Sequence, residues 1–313
     1  MSDLTKLNDP SISVVILTFN EEIHIERCIR SVLSICENIY VIDSFSQDKT
    51  VEIARTLGAQ VYQRAWKNYA DQFQWALDFC PIHSTWVMRL DADECLNSKM
   101  QESLLPELSR APEEVNGVIC DLRNVFMGKV IKYGGYDPLK LLRIWKVGRG
   151  RIESRWMDEH IVLDGGKAIL ASGEILHNNL NNHRWWTDKH NKYADREMVD
   201  ILYKKYKLVS WDDQIKGTDN SQAKLKRMLK ESVYNKLPVF LRPWLYFSYR
   251  YFIRLGFLDG APGFAYHFFQ ALWYRTMVDA RVYEAEMLMS PSMSKAERIK
   301  VLECLTGLEL HED

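Results

Sequence analysis

The stretch SISVVILTF at residues 11–19 sets the first limit on the fold. Its apolar residues run on without the polar alternation of a strand that has one wet face, so it suits a strand covered on both sides. The following segments keep to the same plan. After Asn20, apolar residues at Ile25, Cys28, Ile29, Val32 and Leu33 recur at helical spacing. NIYVIDS (38–44) predicts a second strand, Thr50 to Leu57 a short helix closed by Gly58, and AQVYQR a third strand. Tyr69, Phe73, Ala76, Leu77 and Cys80 mark one helix face, and TWVMRL (85–90) predicts a fourth strand. This alternation implies an α/β fold, a Rossmann-like and mostly parallel sheet with right-handed crossovers. In such sheets ligands bind beyond the carboxyl ends of the strands. Asn20-Glu21, Asp43 and Asp91-Ala92-Asp93 all fall there.

From about residue 115 to 180 the pattern becomes all-strand, with Gly-rich turns, and reads as antiparallel additions to the same sheet. From 183 onward the chain is helical, basic and aromatic. The expected organisation is a catalytic domain over 1–182 and a helical C-terminal region over 183–313. The nearest thing to a linker is SWDDQIKGTDNSQAK (210–224).

A net charge of −1 hides an uneven distribution. Residues 1–180 carry 20 Lys and Arg against 25 Asp and Glu; residues 181–254 carry 16 against 8. A basic middle segment of that size points to an anionic partner such as phosphate or lipid headgroups, or else to a solvated helical face. No nucleic-acid partner is expected. The six cysteines include no CxxC pair, as suits a reducing cytoplasm, and MSDLTKLNDP has neither the basic start nor the apolar run of a signal peptide.

VMRLDADECL (87–96) delivers a buried strand straight into Asp91, Asp93 and Glu94. Two carboxylates two residues apart can share one cation, and their hard oxygens suit Mg²⁺ or Mn²⁺, which in turn hold phosphate oxygens. Alone, D-x-D also describes a solvated turn. Here it follows a strand whose neighbours end in Asn20 and Asp43.

TFNEE (18–22), VIDSFSQDKTVEIA (41–54) and RLDADE (89–94), in this order, resemble the family 2 glycosyltransferases. The resemblance continues through GGYDPLKLLRIWK (134–146), MDEHIVLDG (157–165), LHNN (176–179) and RLGFLDGAPGF (254–264), and is nearest to the branch that builds bacterial lipopolysaccharide core and other surface glycans. It implies a GT-A type fold and an inverting, metal-dependent transfer from a nucleoside-diphosphate sugar, a UDP-sugar foremost, to a glycan or lipid-linked glycan acceptor. By position it assigns Thr18, Asn20 and Glu21 to the nucleotide pocket and Asp43 to the base edge. Asp91 would face ribose or metal, Asp93 would hold the metal against the pyrophosphate, and His177 would complete its coordination. Arg143 would pair with donor phosphates or with the acidic pair. Ser44, Ser46 and Asp48 read better as caps of the helix near Thr50. The acceptor hydroxyl needs a base, for which Asp158 and Glu159 are the candidates, Glu159 matching the family acid and Asp158 departing from it. Leu139, Leu141 and Gln74-Trp75 also depart, which leaves the donor sugar open.

Residues 237–283 are crowded with Trp, Tyr, Phe and Arg, and Gly and Pro interrupt their longest apolar run. They suggest helices lying on the inner face of the cytoplasmic membrane rather than crossing it, or else packing on the catalytic domain or in a homodimer. Two other function classes share parts of this pattern. A sugar-phosphate nucleotidylyltransferase would want a Gly-rich loop where TFNEE stands, and an inactive membrane-surface scaffold would not need Asp91, Asp93, Glu159 and His177.

Overall fold

The computed structural model describes residues 9–135, 138–153, 160–208 and 237–310. They form two compact units: one runs to Leu180, and the other holds Asn181 onward together with Tyr133–Gly135.

In the first unit β1 (Ile12–Thr18) lies between β2 (Asn38–Asp43) and β4 (Trp86–Asp91) and runs parallel to both, with Leu17 level with Ile42 and Asp91. β3 (Gln60–Gln63) continues the parallel set beyond β2. Ile12, Val14 and Ile16 pack with Ile29 of α1 (Ile25–Arg30) and with Met100 and Leu104 of α4 (Ser98–Ser109). Val15 belongs to a separate cluster with Phe73 and Ala76 of α3 (Tyr69–Phe79). Both faces of β1 are therefore covered, which is why its sequence shows no polar alternation. Each buried aliphatic side chain of this kind contributes about 1.5–3 kcal/mol.

Beyond β4 the sheet becomes mixed. The remaining strands are β5 (Glu94–Leu96), β6 (Val115–Phe126), β7 (Lys129–Val130), β8 (Leu139–Lys146) and β11 (Lys167–His177). The order across the sheet is β3-β2-β1-β4-β8-β6-β11-β5, with β7 paired to β6 and a separate ribbon of β9 (Gly150–Ile152) and β10 (Ile161–Leu163). The expected α/β architecture with antiparallel additions is present, with one refinement. β8 runs antiparallel to both β4 and β6, so β6 recovers the direction of the first four strands, and β11 pairs with β6 in parallel. The last residue of β11, His177, thereby emerges at the same edge as Thr18, Asp43 and Asp91. A second difference concerns the helix expected to open at Asn20. Asn20 has a left-handed backbone (φ 56°), and α1 begins only at Ile25.

In the second unit, α5 (His183–Tyr206) packs Ala194, Met198 and Leu202 against Val278, Val282 and Ala285 of α8 (Tyr274–Leu288) and against Ile299 and Leu302 of α9 (Lys295–Thr306). α6 (Leu241–Ser248) continues through a π-helical turn over Tyr249–Ile253, and α7 (Gly260–His267) joins α8 through another over Phe268–Trp273. Tyr133–Gly135 is tied in by backbone. The Tyr133 N–H donates to Asp259 Oδ2 (2.9 Å), the Gly134 N–H to the Arg254 carbonyl (2.8 Å), and Arg250 Nε to the Gly134 carbonyl (2.8 Å). Among the described residues no helix is long and apolar enough to cross a membrane.

At Gly173 β11 comes close to the backbone of α4. Its backbone is left-handed (φ 89°), and a Cβ there would lie 2.5 Å from the Met100 backbone nitrogen, which side-chain motion cannot relieve. Gly165 has a similar φ (72°) with open space around it. Gly173→Ala is expected to combine backbone strain with overpacking and to cost on the order of 3 kcal/mol. Gly165→Ala should carry the strain alone, about 1 kcal/mol. Thermal unfolding followed by circular dichroism checks this; equal losses would show that the approach to α4 is not tight.

Candidate active site

Two loops at the strand edge are joined by reciprocal hydrogen bonds. From the loop after β1, the backbone N–H groups of Asn20, Glu21 and Glu22 donate to Ser46 Oγ (2.8 Å), Thr50 Oγ1 (2.7 Å) and Asp48 Oδ2 (3.1 Å). In return, the Gln47 and Lys49 N–H groups donate to Asn20 Oδ1 (2.8 Å) and Glu22 Oε2 (3.0 Å). The left-handed turn at Asn20 lets three successive N–H groups face the second loop instead of entering a helix. Asp48 also accepts from the Thr50 N–H (3.0 Å) at the start of α2 (Thr50–Thr56). The N-cap, however, is Lys49 with no side-chain cap bond, and Ser44 and Ser46 bond to Gln72 and to Asn20 and Asp43 instead of capping the helix. The bonds that Asp48 accepts hold its carboxyl below the usual carboxylate range against the opposing effect of burial.

Asp43 is the buried hub of this arrangement. Its carboxylate accepts from Thr18 Oγ1 (3.0 Å), the Ser46 N–H (2.9 Å), Ser46 Oγ (2.5 Å) and Gln63 Nε2 (3.1 Å). Thr18 is buried with it, so both expected nucleotide residues serve first to fix the loops. Glu21 turns to the buried His24, with Oε2 2.6 Å from Nδ1, while His24 Nε2 accepts from the Leu180 N–H (2.8 Å). Asn20 is the one of the four that stands exposed to solvent.

β4 ends at Asp91, and a two-residue turn at Ala92-Asp93 leads into β5 at Glu94. Across this turn Asp91 and Asp93 take different partners. Asp91 accepts from Tyr69 Oη (2.6 Å) and lies 3.6 Å from Arg89 Nε and 3.5 Å from Arg143 Nη2. Asp93 Oδ2 lies 3.0 Å from His177 Nε2 and accepts from Asn179 Nδ2 at 3.0 Å. Among the described residues no three His, Cys, Asp or Glu side chains gather as a metal cluster. Asp93 and His177 are brought together, and Asp91 keeps separate partners.

The Asp93–His177 pair fits a divalent ion. An octahedral cation with bonds of about 2.1 Å holds adjacent donor atoms about 3.0 Å apart, which is the separation of these two. Magnesium-type sites need only one or two protein ligands when phosphate oxygens supply the rest, and the imidazole favours Mn²⁺. Asn124 Oδ1, 3.0 Å from His177 Nδ1, orients the ring. Burial alone would lower the His177 pKa, but the neighbouring Asp93 carboxylate outweighs it and raises the pKa to about 9.

Arg143 is 4% exposed and donates to Glu94 Oε1 at 2.6 Å, and Glu94 itself is 2% exposed. Glu94 Oε2 accepts from the Asp91 N–H (3.0 Å), so this ion pair closes the turn that separates the two aspartates. Burial pushes the Glu94 carboxyl up despite Arg143, whereas for Asp91 the arginines and the Tyr69 hydroxyl outweigh burial and hold the carboxyl down. Arg143 thus pairs with Glu94 and lies near Asp91, and its Nε and Nη1 atoms find no hydrogen-bond partner. Asp158 and Glu159 lie outside the described residues. Glu94, Tyr69, Asn124 and Asn179 carried no assigned role in the sequence. Asn179 stands inside the LHNN motif, and Glu94 inside RLDADE, so both could have been singled out there.

Residues 13–180 match the family described as Glycosyl transferase family 2. Among relatives, the lipopolysaccharide core biosynthesis glycosyltransferase LpsC of Rhizobium meliloti is 32% identical over 177 residues, which is 53% of this chain and 62% of that protein. An uncharacterized glycosyltransferase of Rickettsia bellii is 40% identical over 101 residues, 32% of this chain and 34% of that one. The chain thus spans less than two thirds of the length of either relative. A solved structure of glucosyl-3-phosphoglycerate synthase from Mycobacterium tuberculosis, in complex with Mn²⁺ and UDP-glucose, is 24% identical and covers 36% of this chain and 44% of its own, at a TM-score of 0.31. With the family matched over more than half of its residues, the chain belongs to glycosyl transferase family 2.

Proposed function

We propose that this chain is an inverting, metal-dependent glycosyltransferase. It moves a hexose from a nucleoside-diphosphate sugar, a UDP-sugar foremost, to a lipid-linked or lipopolysaccharide-type acceptor. The observation that carries the reading is the Asp93–His177 pair, at 3.0 Å, on the strand edge of a chain of this family. The name of the Rhizobium relative supports the acceptor class.

Asp93 and His177 would hold a Mn²⁺ or Mg²⁺ ion, with Asn179 bonded to the Asp93 carboxylate and Asn124 to the far nitrogen of His177. When bound, the ion supplies Lewis-acid stabilisation of the departing diphosphate. The joined loops carrying Asn20, Glu21 and Ser46 form the nucleotide side, kept in shape by Thr18 and Asp43. Asp91, with its carboxyl held ionised by Arg143 and Arg89, accepts a ribose hydroxyl at its free lone pairs. Arg143 is a positioning residue that sets the Asp91–Glu94 turn. Proton removal from the acceptor hydroxyl falls to Glu159 or Asp158, and a single in-line displacement inverts the anomeric carbon.

The chain acts at the inner face of the cytoplasmic membrane. α6 and its continuation support this by an inverted amphipathic pattern. Leu241, Trp244, Leu245, Tyr249, Phe252 and Ile253 are exposed at helical spacing, Trp244 by 58% and Ile253 by 71%. Arg242, Phe247 and Arg250 face inward instead, Arg242 bidentate on Asp279. Wet aromatic and aliphatic side chains opposite buried arginines suit a helix laid on the headgroup boundary.

Three outcomes test these readings. Asp93→Ala is expected to lower kcat by more than about a hundredfold, while Asn124→Ala weakens Mn²⁺ affinity roughly 10–100-fold. Transfer assays and Mn²⁺ titration by electron paramagnetic resonance read the two effects; an undiminished rate in Asp93→Ala sinks the metal assignment. Glu94→Leu leaves Arg143 buried without its nearest partner and should cost about 3–5 kcal/mol in urea unfolding. Adding Arg143→Met to it should recover most of that loss, and no recovery would remove the pair from its role as a strut. Finally, the chain should sediment with anionic liposomes, less so at high salt, and replacing Trp244, Phe252 and Ile253 by Ser should reduce binding. Equal binding by the triple variant would reject α6 as the docking face.

A further inference from the structure

We propose that the outer flank of α3 is a second binding site, a groove that takes a neutral pyranose unit of the acceptor glycan. Naming the glycan as acceptor rests on the function proposed above; the groove's affinity for a saccharide does not.

Phe73 and Ala76 turn α3 toward the sheet. Asp71, Gln74, Trp75, Asp78 and Phe79 recur at three- and four-residue spacing along a different flank and line a groove of about 460 Å³. Trp75 and Phe79 stack with ring centroids 5.4 Å apart and planes within 21°, so Trp75 backs the Phe79 ring, which is the aromatic face the groove presents. Trp75 is anchored edge-on by Tyr62 at 6.1 Å, whereas Phe79 is 68% exposed. The stack on Trp75 holds this open phenyl ring in place.

The polar groups around these rings are also held. Arg64 Nη1 donates to Asp71 Oδ2 (2.5 Å) and Gln72 Oε1 (2.8 Å), and its guanidinium lies 5.7 Å from the Trp75 centroid. Gln74 Nε2 donates to Asp78 Oδ1 (2.9 Å), and Gln74 Oε1 accepts from the Ile152 N–H of β9 (3.3 Å). A pyranose ring presents one face of C–H bonds and a rim of hydroxyls. It needs a flat apolar floor with fixed acceptors and donors beside it, and this groove offers both.

Charge selects among ligands that stack. The groove's two cations, Arg64 and Lys67, are matched by two carboxylates, Asp71 and Asp78. A phosphate or a nucleotide would meet the carboxylates at close range, whereas a neutral sugar gains hydrogen bonds from all four.

The test is saturation-transfer-difference NMR on the full chain with maltotetraose, mannotetraose and a deacylated lipopolysaccharide core oligosaccharide, each with and without saturating UDP and Mn²⁺. Ring-proton signals from at least one of the three are expected, unchanged by UDP. They should fall about fivefold or more in Trp75→Ala and in Phe79→Ser and recover in Trp75→Phe. No signal from any of the three, displacement by UDP, or full signal in either variant would overturn the site. UDP signals recorded on the same variants keep the two proposals apart. Lost glycan signal with retained UDP signal supports the groove, and a wild-type chain that binds glycan but transfers nothing counts only against the proposed reaction.

Discussion

The buried ion pair between Glu94 and Arg143 is the interaction on which the candidate site depends. Glu94 reaches back to the Asp91 N–H with one oxygen and across to β8 with the other. It therefore fixes the turn at Ala92-Asp93 from both sides, and that turn sends Asp91 toward Tyr69, Arg89 and Arg143 and Asp93 toward His177. A buried pair of this kind contributes little net stability, because desolvation of both ions offsets their attraction. Its value lies in direction. With either partner missing, a charge would stay buried without compensation, so the turn has few alternative conformations of comparable energy.

The strand edge was legible in the sequence wherever burial left a one-dimensional trace. β1 reads as buried on both faces because the aliphatic side chains of Ile12, Val14 and Ile16 alternate with Ser13 and Val15, which are also covered. The ends of β2 and β4 follow from the same reasoning, and with them the gathering of Asp43 and Asp91 at one edge. What the sequence could not supply was pairing across long separations. The direction of β11 is set by its ladder with β6, a strand far earlier in the chain, through a bulge between Leu170 and Glu174. Nothing local in EILHNN states that its histidine will meet Asp93. Nor does the D-x-D spacing state that the strand stops at Asp91 and that the two aspartates take different partners across the turn.

The loops after β1 and β2 present a similar lesson about polar residues. Asp43 looks like a ligand-facing carboxylate when read as a strand end, but its four protein donors make it a structural acceptor first. A fully satisfied polar network of this kind costs little to bury and holds its backbone tightly. Five bonds between side chains and backbone N–H groups join the two loops. The exposed Asn20 is consequently held in a left-handed conformation that an isolated loop would occupy only in part. Preorganisation of this sort lowers the entropy a ligand must remove on binding.

The second unit inverts the usual relation between burial and polarity along α6. In most helices arginine heads lie in water and aromatic rings inside. Here Arg242 is spent on buried Asp279 and Arg250 on the Gly134 carbonyl, while Trp244, Phe252 and Ile253 face out. Charges that could have kept the exposed face wet have been moved inward, and each has a bonding partner that would be orphaned by turning the helix over. The inversion is therefore fixed by the polar side of the helix, not by its apolar side. A surface apolar by default would be expected to relax by rotation, whereas one held open by two buried arginines keeps its hydrophobic face exposed.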